Sequence, residues 1–187
     1  MAHESSSYSI GDQEGRRAVD AYLDIVSLRA VRDYTDQPLG EQELERILQA
    51  GRVAGSAGNR QPWTFVTITD RATLDKLAEI VYEPDSLHGA AAAVAVVVRT
   101  ANQGFDAGRA AENMMLAAWA GGIGSSPNGL REREPAHDIL SVPTDHYIAN
   151  IITFGYPKKP RQVDNKTPEG LLARVKRKPL SEIVRRI

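Results

Sequence analysis

The longest apolar stretch of the chain, Gly89 to Val98 (GAAAAVAVVV), constrains the fold more than any other feature. It is about half of the roughly 20 residues that span a bilayer. It therefore reads as a buried strand with a small-residue lead-in, and no membrane partner is expected. A chain of 187 residues around such a strand suits one compact domain. Hydrophobic residues at 42% and charged residues at 25% match ordinary globular usage, which excludes a fibrous repeat and a disordered chain.

The elements around that strand follow from periodicity. Val19, Tyr22, Leu23 and Val26 fall at helical spacing, and a polar stretch with Pro38 and Gly40 follows. A second helix begins near Glu41, with acids in its first turn and Leu44, Ile47, Leu48 and Gly51 on one face. The turn-rich GSAGNRQP leads into Trp63–Thr69, an alternating β-branched and aromatic strand. Asp70 then caps a helix carrying Leu74, Leu77, Ala78 and Val81. Gly104–Ala120 reads as a central buried helix with a glycine-rich exit, and Tyr147–Gly155 as a third strand. Three or four core strands flanked by helices make an α+β domain. So few strands, and a long tail without an evident place on its own subunit, point to a homodimer.

Residues 1–18 read as a polar tail without the apolar region of a secretory signal, so a cytoplasmic location is expected. The sequence contains no cysteine, which excludes thiol catalysis, disulfides and Cys-held metal or iron–sulfur centres. Any redox chemistry must come from a cofactor. Lys158–Ile187 holds ten Lys or Arg against three acids. Without an interleaved aromatic after Tyr156, this arm suits a phosphate or a partner subunit better than nucleic acid, which is not an expected partner.

Several catalytic signals fail on context. AGSAG (Ala54–Gly58) approximates a nucleophile elbow, but a helix precedes it and a strand follows, the reverse of what an elbow needs. Gly122-x-Gly124 lacks the third glycine of a dinucleotide fingerprint, since Pro127 stands there. His3, His88, His137 and His146 show no ligand spacing, so no metal is expected.

Four segments remain: SLRAVRDYTDQPL, GSAGNRQPWTFV, GRAAENMMLAAWAGGIGSSPNG, and NIITFGYP followed by VKRKPLSEIV. In this order and at these intervals they resemble the nitroreductase family of FMN enzymes, over about Val26–Val184. The resemblance implies a mainly antiparallel sheet flanked by helices in an intertwined homodimer. It places an FMN-binding domain at 19–157 and a basic arm at 158–187 that completes the dimer and the phosphate site. Arg29, Ala30 and Arg32 fall on the family's phosphate segment. The family pattern there is close to R-R-S-x-R, and this chain reads Leu28-Arg29-Ala30-Val31-Arg32, with one Arg and the Ser hydroxyl missing. Lys176 and Arg177 are expected to close on the phosphate instead. The bland reading of Arg29 and Arg32 is surface pairing with Asp33 or Asp36.

Gly55, Ser56, Ala57 and Asn59 would come from the partner subunit and approach the flavin ring. Asn128 and Gly129, in a loop after the central helix that offers backbone N–H groups, would donate toward flavin N5 and O4. Trp63 reads as core rather than flavin stacker, and Asn113 as structural. The resemblance further implies a ping-pong cycle from NADH or NADPH to a small acceptor such as a nitroaromatic or quinone. The flavin itself carries the chemistry, so no catalytic side chain is assigned. The alternative is a flavin- or nucleotide-binding protein without turnover.

Overall fold

The computed structural model describes residues 21–160 and 167–187, so the tail at 1–18 lies outside the described residues. The chain forms two compact units, Arg29–Arg161, and Met1–Leu28 with Gln162–Ile187.

The larger unit is built on a four-stranded antiparallel sheet. Its strands are β1 (Trp63–Ile68), β2 (Ala92–Val98), β3 (Gly124–Asn128) and β4 (Tyr147–Gly155), in the order β1-β2-β4-β3. All seven residues of β2 are buried, because helices cover both faces of the sheet. Ala93, Ala95 and Val97 pack on one side with α3 (Arg71–Ala78), α4 (Pro84–His88) and α6 (Glu134–Leu140). Val94, Val96 and Val98 pack on the other with α2 (Glu41–Arg52) and α5 (Gly104–Ala120). The uninterrupted apolar run in the sequence is the signature of this sandwiching.

Local signals set the element ends. Asp70 Oδ1 accepts from the Thr73 amide at 2.8 Å and starts α3. Gly51 lets α2 approach α5: a Cβ there would lie 2.2 Å from Met114 Cε and 3.1 Å from the Phe65 ring. Trp63 is half-buried against the α2/α5 side of the core and stacks parallel to Phe65 at 6.3 Å, a core position as expected.

Two elements differ from the sequence reading. The Gly122–Gly129 segment is not an open loop, because Gly124–Asn128 is the edge strand β3, paired with β4 from Gly124↔Gly155 to Asn128↔Ile151. Ser, Pro and Asn are weak strand formers, so pairing with β4 imposes the conformation. An edge strand tolerates Pro127 because only one side of its backbone has to bond. The helix expected to carry Val81 ends at Ala78, and a short helix, α4, follows it.

In the smaller unit, residues 21–27 form α1, α7 (Pro168–Leu172) is capped by Thr167, and α8 is Leu180–Ile183. The basic run 174–178 lies between α7 and α8 and is mainly exposed. Among the described residues no helix is long and apolar enough to cross a membrane.

Candidate functional site

The phosphate segment expected from the sequence is clamped to the β3 edge. Ala30 makes a parallel bridge to Ser125, and the Val31 amide donates to Ser125 O at 2.8 Å. The Val31 side chain packs where a Cβ on Gly124 would stand, 2.7 Å away. The Val31 carbonyl accepts from the Tyr34 phenol at 2.5 Å, and the same hydroxyl meets Thr153 Oγ1 at 3.0 Å. Tyr34 is 2% exposed, and burial pushes its phenol well above the usual tyrosine range, so it keeps its proton. With Val31 turned inward, Arg32 projects outward and is exposed. Arg29 and Ala30 are exposed as well.

Arg32 pairs with neither acid suggested by sequence proximity. Its Nε lies 3.3 Å from Glu83 Oε2, whereas Asp33 takes Lys158 at 2.8 Å. The buried Tyr34 and the distant Glu83 could not be assigned roles from spacing, because both act through contacts made by folding.

Gly55–Gln61 forms the second expected segment, an exposed turn with an unusual backbone. Gly58, Asn59 and Gln61 have φ of 58°, 54° and 47°. Two non-glycine residues in the left-handed region cost about 1–2 kcal/mol each and persist only where surrounding bonds hold them. Ser56 Oγ accepts from the Gln61 amide at 2.9 Å, and the Gln61 carboxamide reaches Asn59 Oδ1 at 3.3 Å. Below the turn, buried Asp106 on α5 accepts from the Ala57 amide at 3.4 Å. Arg109 packs so tightly on Gly55 that a Cβ there would stand 2.3 Å from its Nη2. Gly55, Ala57 and Asn59 thus form an exposed, small-residue surface fixed from behind.

Asn128 and Gly129 part company. The Asn128 carboxamide is 1% exposed and donates to Ser86 Oγ at 3.0 Å and to Ser126 O at 3.2 Å. Its side chain braces α4 against β3. Gly129 is exposed, with its carbonyl accepting from the Tyr82 amide at 3.2 Å. Asn113 is structural as expected, its Nδ2 donating to Ala50 O at 3.1 Å and joining α5 to α2. Lys176 and Arg177 are exposed in the smaller unit, with Arg177 Nη1 donating to Lys176 O at 3.0 Å.

Within one chain the two expected segments do not meet. The Gly55–Asn59 turn enters β1 at Trp63, beside Val98 and Tyr147. The Arg29–Arg32 segment lies on the opposite edge strand, near the Gly124↔Gly155 end. Standard spacings put these corners roughly 14 Å apart across the strands and roughly 20 Å along them.

The family model described as Nitroreductase family matches residues 25–105 and 85–156. A protein of Archaeoglobus fulgidus assigned as an NADH dehydrogenase/NAD(P)H nitroreductase is 33% identical over 145 residues, covering 72% of this chain and 83% of that one. The FMN reductase [NAD(P)H] of Bacillus subtilis is 35% identical over 52 residues, 28% of this chain and 21% of that one. Among solved structures, a protein of Parabacteroides distasonis named a putative NADH dehydrogenase/NAD(P)H nitroreductase superposes with a TM-score of 0.70 at 27% identity, over 78% of this chain and 95% of that one. The four-stranded antiparallel sheet between helix layers, the clamped basic segment on its edge and the match over most of the chain converge, and the chain belongs to the nitroreductase family.

Proposed function

We propose that this protein is an FMN-dependent NAD(P)H oxidoreductase, working as a homodimer on a small acceptor such as a nitroaromatic or quinone. The observation that carries the reading is the clamped segment that presents Arg29 and Arg32 from a fixed backbone edge, in a chain of this family. Two guanidiniums three residues apart suit one phosphate, since charge-assisted bonds to a dianion are strong and a fixed backbone lowers the entropy lost in making them. The relative named as an FMN reductase and those named as NAD(P)H nitroreductases support the choice of cofactor and donor.

The exposed small-residue turn suits a flat ring, since nothing beyond Cβ projects from Gly55 or Ala57 and backbone can approach closely. Because that turn and the arginines occupy opposite corners of one chain, a complete site takes the turn from a second copy. The arm then contributes Lys176 and Arg177 in place of the Arg and Ser absent at Leu28 and Ala30. Its exposed Leu180, Ile183 and Val184 suit burial against a partner. A cytoplasmic location fits a chain without cysteine.

FMN, when bound, would supply the redox chemistry, accepting hydride from a reduced nicotinamide and passing the electrons to the acceptor in a ping-pong cycle. The protein's part is to hold the phosphate, orient the ring and keep one face open. Backbone at Gly129 suits the polar edge of the ring, where fixed dipoles stabilise charge without reorganising.

The test is direct. Purified protein should be yellow, release FMN on heating, and bleach with NADH or NADPH in the absence of oxygen. A colourless protein that ignores added FMN sinks the proposal. The altered phosphate motif favours one second reading, a flavin-binding protein without turnover. Bound FMN that neither nicotinamide reduces would establish it.

A further inference from the structure

The guanidinium assigned to the cofactor phosphate already faces a carboxylate. Arg32 and Glu83 meet at 3.3 Å through half-exposed side chains, and the backbone that carries each is held in place. Arg32 belongs to the segment clamped to β3 through Ser125 and Tyr34. Glu83 is the residue at which α4 starts, and its carbonyl accepts from Ser86 Oγ at 2.9 Å. Ser86 is fully buried and bonds to Asn128, which in turn holds Ser126 O on β3. One strand therefore carries both partners, and the carboxylate's backbone is fixed beside the place a phosphate would occupy.

We propose, resting on the assignment of Arg32 to the FMN phosphate, that Glu83 is a built-in competitor that weakens the protein's hold on phosphate. A phosphate monoester carries about −1.5 to −2 charge at neutral pH. On binding it must share Arg32 with Glu83 and sit near a like charge. Both effects oppose FMN, and neither touches riboflavin, which has the same ring and no phosphate. With Leu28 and Ala30 where the family pattern has further phosphate ligands, Glu83 shifts the protein toward an exchangeable flavin that can be given up and replaced.

The test titrates FMN and riboflavin into full-length protein freed of flavin, following flavin fluorescence at low and at high salt. Glu83→Gln keeps the backbone carbonyl that Ser86 uses, so the frame survives. Expected at low salt is FMN binding about three- to five-fold tighter than the parent, with riboflavin unchanged and the gain shrinking as salt screens the charge. FMN binding that is unchanged or weaker in Glu83→Gln overturns the inference, as does an equal change for both flavins. In that case, loss of FMN by Arg32→Ala leaves the phosphate assignment standing. If Arg32→Ala binds FMN like the parent, the assignment and the inference fall together.

Discussion

A protein carrying Arg29→Ala and Arg32→Ala together should purify without flavin and bind added FMN at least a hundred-fold more weakly than the parent. Each charge-assisted bond contributes about 1.5–3 kcal/mol, so losing two is an effect of about 3–6 kcal/mol if both are substantially desolvated in the complex. Both residues are exposed, so thermal unfolding of the variant should stay close to the parent's and separate a binding defect from a folding one. Retention of FMN would show that the clamped segment on β3 does not hold the phosphate.

The same variant tests how the site is assembled. Ala57→Arg, on the exposed turn, should also abolish flavin binding by filling the ring's place while leaving the core untouched. Unfolded together and refolded as a mixture, the two defective chains should recover flavin in roughly a quarter of the sites. Random pairing makes half the dimers mixed, and one of the two sites in each mixed dimer joins two undamaged halves. No recovery would mean that one chain builds the site alone, against the placement of the two segments at opposite corners of the sheet.

The largest expected effect on stability belongs to Phe154. Its side chain is fully buried in β4, on the α2/α5 face, in one cluster with Ile152, Met114 and Ile123. Phe154→Ala should cost about 3–5 kcal/mol, through lost burial and the cavity left behind. Against a total stability of about 5–15 kcal/mol, that lowers the urea midpoint sharply and can unfold a marginal domain. A shift corresponding to less than about 1 kcal/mol would mean that the surrounding helices collapse into the space.

The second strand, β4 and α5 follow from composition and period. The apolar run became the fully buried β2, and Tyr147–Gly155 and Gly104–Ala120 match their expected spans. Each is long or strongly apolar, so local preference and burial agree. β3 and α4 were not legible for the opposite reason. GSSPN has no strand period, and PDSLH is too short to be a helix on its own. Both exist because Ser86 and Asn128 bond to each other and β4 supplies an edge.

The site divides in the same way. A basic segment, a small-residue turn and a cationic arm were visible in the sequence because each is a run of neighbouring residue types. Asn128 is the instructive case. The resemblance points to its backbone N–H as a donor to the flavin, and only tertiary contacts add that its carboxamide is buried against Ser86 and Ser126. Likewise, spacing suggested Asp33 or Asp36 as the surface partners of Arg32, and folding supplied Glu83, about fifty positions away in the chain. The chain's order of residue types determined the family, the layered architecture and which segments carry charge. The tertiary structure alone decided which charges meet, and that the arginines and the turn stand at opposite corners, because pairing across a sheet joins residues that no local period relates.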